Sequence, residues 1–212
     1  MLYVVRIQAQ EKVRSLWDEM LAEAGALQDA LGENGRLLYM SRRHLHNEAS
    51  LVVHVVTPDA LAEFVSGPLA RLKDITGVWL IQLFMPKFLT VPKGAEHLPR
   101  YAVTVKVFPS ALAQVYGKIA SGDWPEGVAL GYVAYTFHLL GDCLQFSVFA
   151  RDEAVLSGHL RDKVRRIPGV LNLTMGRIVE TQSLLSPAEW QRFTEEHAKS
   201  DPESRLAGYF RK

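Results

Sequence analysis

The sequence predicts an α+β fold made of two consecutive β-α-β-β-α-β repeats. One observation is that the hydrophobic period changes twice along the chain, from the alternation of strands to the three- and four-residue spacing of helices and back. The other is a pair of similar segments, Ile75–Val78 and Ile167–Val170, at matching points of the two halves. Both look like the end of a helix, a glycine and then an apolar strand, which indicates an internal duplication.

Composition and charge narrow the class of protein. The 212 residues are 48% hydrophobic and 22% charged with a net charge of +1, which is typical of a globular protein without general affinity for nucleic acid. Cys143 is the only cysteine, as expected in a reducing cytoplasm. The residues after Met1 lack a signal-peptide pattern, and no apolar run approaches the roughly 20 residues of a membrane helix. We therefore expect a cytoplasmic protein that does not bind membranes.

The first repeat is predicted over residues 1–86. It opens on a strand, because Tyr3, Val5 and Ile7 alternate with Val4 and Arg6. From Glu11 the apolar residues recur every three or four positions, which is typical of an amphipathic helix. The remaining elements are a helix from Glu11 to Leu27, strands over Arg36–Leu45 and Leu51–Val56, a helix from Pro58 to Ile75 capped by Thr57, and a strand over Val78–Met85.

The second repeat is predicted over residues 100–185, after a proline-punctuated linker at 87–99. Val103, Val105 and Val107 mark its first strand, and a helix starts at Pro109. An extended run over Val128–Leu140, a Gly-Asp turn, a further strand, a helix capped by Asp152 and a last strand from Leu171 complete the order. Residues 186–212 are predicted to form a C-terminal helix and a tail, since Ser186-Pro187-Ala188-Glu189 spells a capping box.

Each repeat implies a four-stranded antiparallel sheet with helices on one face. The opposite face of the first sheet is predicted to carry Val4, Arg6, Val52, His54 and Val56. If this face and the corresponding face of the second sheet lie against each other, they enclose a partly polar, partly basic slot. Otherwise the faces away from the helices are exposed to solvent. The opposite face of the second sheet is predicted to carry Thr104, Lys106, Gln145, Ser147, Asn172 and Thr174.

Residues 100–185 resemble the effector-binding (RAM) domain of Lrp/AsnC-type transcription regulators. The positions that match that family's pattern are Gly141, Asp142, Asp152, Pro168, Gly169 and Val170. The resemblance implies two tandem ferredoxin-like βαββαβ repeats with antiparallel sheets, forming a dimeric α+β-barrel-like pseudo-dimer. We expect no counterpart of that family's helix-turn-helix, because the first predicted strand starts at residue 2.

Five residues are candidates for ligand binding. The resemblance implies that Gly141 and Asp142 lie near a small-molecule site, although Gly-Asp is also a common turn dipeptide. Arg6, His54 and Lys106 are predicted on central strands, where they suit a carboxylate or phosphate ligand. Ordinary interface residues with snorkelling side chains remain the alternative.

No metal site, cofactor or catalytic residue is predicted. His44 and His46 share a strand face and are weak candidates for a transition metal, and an exposed strand end explains them equally well. His138 is a weak haem-ligand candidate by analogy with chlorite-dismutase-like proteins. Cys143 has no identifiable base beside it.

These observations favour a stand-alone Lrp/AsnC-type ligand-binding or regulatory module, which senses an amino acid or another carboxylate, over an enzyme. The expected partners are the small-molecule effector and either further copies of the chain or a regulator; direct binding to nucleic acid is not expected. The alternative is an enzyme of the dimeric α+β-barrel group, monooxygenase- or isomerase-like, with a cleft between the two sheets.

Overall fold

A computed structural model describes residues 1–10, 13–43, 47–73, 75–89, 94–138 and 141–198. Within these residues the chain is α+β, with eight strands and six α-helices. It divides into two compact units, one of Met1–Leu83 with Gly176–Leu184 and the other of Phe84–Met175 with Leu185–Lys212. None of the described helices has the length and apolar character needed to cross a membrane. The predicted tail beyond residue 198 lies outside the described residues.

The first unit has an antiparallel sheet in the order β4-β1-β3-β2, with the end of β8 beside β2. Val4 of β1 lies opposite Val52 of β3 and Ile81 of β4, which fixes the register at its centre. Its elements are β1 (Leu2–Ala9), α1 (Val13–Ala22), α2 (Ala24–Leu31), β2 (Gly35–Arg43), β3 (Glu48–Val55), α3 (Pro58–Ser66) and the start of β4 (Ile75–Phe88).

The core of the first unit forms between one face of this sheet and the helices. Val5 and Val53 are completely buried there, because alternate strand residues share a face. Trp17, Met20 and Phe64 of the helices pack into the same cluster. Removing this apolar surface from water provides the main driving force for folding of the unit.

The second unit has strands in the order β6-β7-β5-β8, with β4 next to β6. Phe146, Val103 and Leu156 are among the buried residues between its sheet and helices. Its elements are the end of β4, β5 (Arg100–Val107), α4 (Leu112–Ser121), β6 (Val128–His138), β7 (Gly141–Ala150), α5 (Glu153–His159), a π-helical turn (Leu160–Val164), the start of β8 (Val170–Ser183) and α6 (Pro187–Ala198).

The predicted helix caps are confirmed. The Thr57 hydroxyl accepts a hydrogen bond from the Ala60 amide at 3.2 Å, and the Asp152 carboxylate accepts one from the Ala154 amide at 2.7 Å. The capping box before α6 is reciprocal: the Ser186 amide donates to the Glu189 carboxylate at 2.8 Å, and the Glu189 amide donates to the Ser186 hydroxyl at 3.3 Å. These bonds satisfy amides that a helix start leaves unpaired.

The two glycine segments that suggested a duplication differ in conformation. Gly169 has φ +93°, and the Val170 amide donates to the Ile167 carbonyl at 3.1 Å. This is a type II turn with Pro168 at its second position. Gly77, by contrast, lies inside β4 and is not among the described glycines with positive φ. The prediction of a helix end at Gly77 is therefore wrong.

The first repeat also departs from its predicted helices. The helix expected to reach Ile75 ends at Ser66, because Gly67 and then Pro68 follow, and proline cannot continue the helical hydrogen bonds. The helix expected over Glu11–Leu27 is instead two helices, α1 and α2, separated at Glu23. Gly25, close to that break, weakens a continuous helix.

Candidate active site

Buried polar side chains lie on the face of the second unit's sheet that points away from its helices. Val103, Val105, Phe146 and Val148 point towards the helices, so the alternate residues of β5 and β7 point the other way. Among these, Gln145 is only 4% exposed and Ser147 only 1%. Buried polar groups require hydrogen-bond partners, and those partners define the candidate site.

Tyr132 is the partner of Gln145. The Gln145 side-chain amide donates to the Tyr132 hydroxyl oxygen at 2.9 Å. The register of β6 against β7 shifts between Leu130 and Tyr132, so Gly131 is the extra residue of a β-bulge. The bulge turns Tyr132 onto the polar face, directly opposite Ser147. A phenol that accepts from Gln145 can also donate its own proton.

Arg100 brings a positive charge to the same face. One terminal nitrogen, Nη2, donates to the Ser147 hydroxyl at 3.5 Å, the long limit for such a bond. The guanidinium carbon lies 5.2 Å from the centroid of the Phe149 ring, a cation–π arrangement that holds the guanidinium over this ring. Arg100, Ser147 and Tyr132 thus come from β5, β7 and β6 in turn.

Aromatic rings extend the site from Tyr132. Phe88 at the end of β4 lies 6.1 Å from Tyr132 between ring centroids, and 5.8 Å from both Trp190 and Phe193 of α6. Trp190 and Phe193 stack at 5.7 Å and 20°. All four rings are only partly buried. Phe88, Trp190 and Phe193 form an aromatic wall beside the polar side chains. We call the whole set of Phe88, Arg100, Tyr132, Gln145, Ser147, Trp190 and Phe193 the Tyr132 cluster.

The Tyr132 cluster has hydrogen-bond donors but no carboxylate or imidazole among its described members. A phenol and a guanidinium close to aromatic rings suit a flat aromatic ligand with an oxygen substituent. If that oxygen becomes negatively charged during a reaction, preorganised donors stabilise it strongly because they need not reorient. The cluster is therefore suited to stabilising an enolate or a phenolate.

Two other tyrosines of the unit are in the helix-side core. Tyr116 of α4 and Tyr135 of β6 stack with centroids 4.4 Å apart and planes at 10°. Burial is the main reason why the pKa of Tyr116 is raised to about 12, and the neighbouring Tyr135 makes a smaller contribution. Burial also raises the pKa of Tyr135. Both phenols therefore stay neutral at ordinary pH. Their position in the core gives them a packing role.

The predicted residues of the first unit are not brought together. Arg6 lies opposite Ser50 and Trp79, whereas His54 lies opposite Leu2. Arg6 and His54 share a sheet face on adjacent strands but are about 13 Å apart along the strands, given ~3.3 Å per residue. The Arg6 Nε is buried without a hydrogen-bond partner among the described residues. The His54 imidazole is 3.4 Å from the amino group of Met1.

The other predicted residues lie near the ends of strands or outside the described residues. Lys106 is exposed on β5, opposite Cys143. Gly141 and Asp142 belong to β7, where their backbones pair with His138 and Phe137 rather than forming the hairpin tip. The surroundings of the Asp142 and His138 side chains lie outside the described residues, as do His44 and His46 entirely. Within the described ranges, no group of three or more His, Cys, Asp or Glu side chains could hold a metal ion.

Sequence reasoning placed Gln145 and Ser147 on the polar face but missed Arg100, Tyr132 and the aromatic wall. The available signal was Gly131, since a glycine inside a strand pattern often marks a bulge that re-aims the next side chain. No local signal connects α6 with the end of β4, because that contact depends on the tertiary fold.

Comparison with known proteins gives structural matches only. No protein-family model and no curated protein sequence matches the chain. An anthrone oxidase-like protein superposes with a TM-score of 0.57 at 10% identity, covering 87% of this chain and 94% of its own. A protein from Fusobacterium nucleatum named as a monooxygenase gives 0.54 at 10% identity, covering 86% and 94%. A mutant chlorite dismutase from Candidatus Nitrospira defluvii gives 0.53 at 13% identity, covering 93% and 95%.

The α+β fold of the chain is similar to that of ferredoxin-like dimeric α+β-barrel proteins. The prediction of a stand-alone Lrp/AsnC-type regulatory module is wrong, and the structural matches favour the enzyme alternative over it. The comparisons instead point to oxidase-like, monooxygenase and chlorite dismutase proteins, and nothing in them supports an Lrp/AsnC effector domain or a role in transcription. The matching residues, such as Asp152 and Gly169, are a helix cap and a turn glycine. Any βαββαβ unit can use such residues, so they do not identify a family.

Proposed function

We propose that the chain is an oxygen-dependent enzyme that oxidises an aromatic substrate with a phenolic or enolisable oxygen at the Tyr132 cluster. The observation that carries the proposal is the 2.9 Å hydrogen bond from buried Gln145 to Tyr132, next to Arg100 and the aromatic wall. The likeness in fold to proteins named as an anthrone oxidase-like protein and a monooxygenase supports the choice of reaction.

The reaction balances without a redox group from the protein. An activated CH₂ group becomes a carbonyl, R₂CH₂ + O₂ → R₂C=O + H₂O. The substrate loses a C–H proton to water and forms an enolate, which transfers its electrons to O₂. A hydroperoxide forms on this carbon. Loss of its remaining C–H proton breaks the O–O bond and gives the carbonyl, and the hydroxide that leaves takes up a proton to become water. The enolate is the species that the cluster stabilises.

Each part of the cluster has a role in this reaction. The wall of Phe88, Trp190 and Phe193 holds the substrate rings by stacking. Tyr132 donates a hydrogen bond to the enolate oxygen, while Gln145 keeps the phenol in position. Arg100 adds a positive charge that favours the ionised substrate. Removing one oxyanion donor from an enzyme typically lowers kcat by about 10²- to 10³-fold.

Oxygen consumption with anthrone as the substrate tests the proposal. We expect uptake of one O₂ for each ketone formed, and a loss of roughly 10²-fold in kcat for Tyr132→Phe. Tyr101→Phe is the matched control: it removes a buried hydroxyl from the helix side of the same sheet, where Tyr101 donates to Glu153 at 3.2 Å. That variant should keep its kcat.

Two results would count against this function. Equal loss of kcat in Tyr132→Phe and Tyr101→Phe would reduce the role of Tyr132 to packing. Turnover of an enolisable substrate under nitrogen would instead indicate an isomerase, because enolate stabilisation without O₂ moves a double bond or a proton.

We further propose that the two β-α-β-β-α-β runs of this single chain replace the two subunits of a dimeric α+β barrel. The same order of elements in both units supports this pseudo-dimer. The experiment is a light-scattering mass after gel filtration. A mass near 23.8 kDa is expected, and an obligate dimer would contradict the proposal.

A further inference from the structure

A groove opens between the end of α5 and β8 on the helix-covered face of the second unit. Its volume is about 220 Å³. The Tyr132 cluster lies on the other face of the same sheet, so the groove is a separate site. It is lined by Ser157, Leu160, Arg161, Arg165, Leu173 and Met175.

A π-helical turn shapes one wall of the groove. The Arg165 amide donates to the Leu160 carbonyl at 2.8 Å, five residues back rather than the four of an α-helix. The wider turn spans Leu160–Val164 and follows directly on α5. Single π-turns of this kind are rare and frequently occur at functional sites. Here the turn places Arg161 and Arg165 along the same wall.

The two arginines of the groove differ in their partners. Arg161 holds Asp162 through two hydrogen bonds, of 2.9 and 3.1 Å. Arg166, outside the groove, reaches the same carboxylate at 4.0 Å. Arg165 makes no ion pair with any residue that the structure describes. Its guanidinium is therefore the cation available to a ligand.

The floor of the groove is apolar. Leu160 is only 2% exposed, and Leu173 and Met175 are partly exposed at the surface of the core. Leu171, two residues before Leu173 on β8, keeps 44% of its surface exposed. Alternate strand residues share a face, so Leu171 extends the apolar floor. Cations near a helix C-terminus also offset its dipole, but that effect does not require an apolar surface beside them.

We propose that this groove binds an organic anion with an apolar body, such as a medium-chain carboxylate. The carboxylate pairs with Arg165, whose planar guanidinium can donate two parallel hydrogen bonds. The Ser157 hydroxyl is a further donor in the groove. The apolar body covers Leu173, Met175 and Leu171, removing their exposed surface from water.

Titration calorimetry of the full chain with octanoate tests this site, with 1-octanol and acetate as probes that lack the charge or the apolar body. We expect octanoate to bind the wild type and both other probes to bind at least about tenfold more weakly. Arg165→Gln should weaken octanoate binding about tenfold or more, because a charge-assisted hydrogen bond is lost. Arg166→Gln removes the same charge from the same helix end, outside the groove, and should bind like the wild type.

Three outcomes would overturn the proposal. Absence of octanoate binding to the wild type would remove the site. Equal weakening in Arg165→Gln and Arg166→Gln would show only general attraction to a basic helix end. Equal affinity for 1-octanol and octanoate would show an apolar patch without anion recognition. Arg165 and Arg166 are both exposed, so both variants should fold, and circular dichroism checks that they do.

Discussion

Gln145 and Tyr132 form a hydrogen bond of 2.9 Å across β6 and β7, with the glutamine amide as donor and the phenol oxygen as acceptor. Gln145 is almost completely buried, so this bond forms in surroundings of low polarity, where it is stronger than in water. The contact fixes the phenol in one orientation. Gln145 is in this sense a positioning residue for Tyr132.

Gln145→Leu tests that role. The leucine fills a similar space but cannot donate, so Tyr132 loses the group that orients it. We expect kcat for anthrone oxidation to fall about tenfold, less than the loss from removing a direct oxyanion donor, while KM changes little. The free energy of unfolding should drop by about 1 kcal/mol.

Gln114→Leu is the matched control, since Gln114 is an exposed residue of α4 in the same unit. It should leave both kcat and stability close to those of the wild type. A normal kcat in Gln145→Leu would show that Tyr132 needs no positioning by this amide.

The bulge at Gly131 gives a second prediction. A Cβ at this position would lie 2.6 Å from the Ser147 hydroxyl and 2.9 Å from a ring carbon of Phe149. Gly131→Ala must therefore shift the buried Ser147 side chain and the Phe149 ring, or the bulge itself, at a cost of about 1–3 kcal/mol in the free energy of unfolding. Because the bulge aims Tyr132, oxidase activity should fall as well.

Gly117→Ala is the control for this substitution. Nothing lies within 4 Å of a Cβ at Gly117, which is exposed in the middle of α4. Replacing a mid-helix glycine with alanine should stabilise the protein by about 1 kcal/mol. Urea denaturation should show a lower free energy of unfolding for Gly131→Ala and a higher one for Gly117→Ala than for the wild type. An unchanged free energy of unfolding in Gly131→Ala would contradict the bulge geometry.

The sequence predicts well the features that depend on local chemistry. The α+β class follows from hydrophobic period, and the caps at Thr57, Asp152 and Ser186 follow from side chains that satisfy nearby amides. Gln145 and Ser147 follow from alternation along one strand. These inferences need only neighbours a few residues apart.

The errors have physical causes as well. Helical spacing continues past Ser66, but Gly67 and Pro68 end the helix, because a single proline outweighs the pattern around it. Tyr132 was missed because a one-residue bulge inverts the alternation that reveals strand faces. Trp190 reaches Phe88 from a different part of the chain, and no local rule encodes that contact.

Gly169 provides a third prediction. It has φ +93°, and an added Cβ would collide with the Cβ of Ala111. Gly169→Ala therefore combines a strained backbone with overpacking, about 1–3 kcal/mol for each effect. Gly94 has a similar φ of +91° but nothing within 4 Å of an added Cβ. Gly94→Ala should show the backbone cost alone.

Thermal or urea denaturation of these two glycine variants separates the two effects. The difference between them estimates the steric cost of the contact between Gly169 and Ala111. Equal destabilisation by the two substitutions would mean that the chain relieves this collision at no cost.

Glu180 gives a prediction about pH. Its carboxylate lies 2.7 Å from the Nε of Arg42 and accepts a hydrogen bond from Arg14, at 2.6 Å, in the first unit. The hydrogen bond from Arg42 is the main reason why the pKa of Glu180 lies below its ordinary value; the charges of Arg42 and Arg14 also lower it, while burial opposes them. The folded state therefore favours the ionised carboxylate.

Because the pKa of Glu180 is lower in the folded state, the ionised carboxylate stabilises the fold at pH values above its unfolded pKa, which is 4.5 for an ordinary glutamate. This stabilisation is lost as the pH falls through the lower pKa of the folded state. Glu180→Gln should therefore lower the free energy of unfolding by about 1 kcal/mol at pH 7, and by much less at pH 3. Urea denaturation at both pH values measures this difference.

Asp18→Asn is the control, because Asp18 pairs with the same Arg14 at 3.3 Å but is 57% exposed. Its effect on the free energy of unfolding should therefore stay within about 0.5 kcal/mol. A loss of the same size at pH 7 and pH 3 would show that Glu180 acts through packing rather than through its charge.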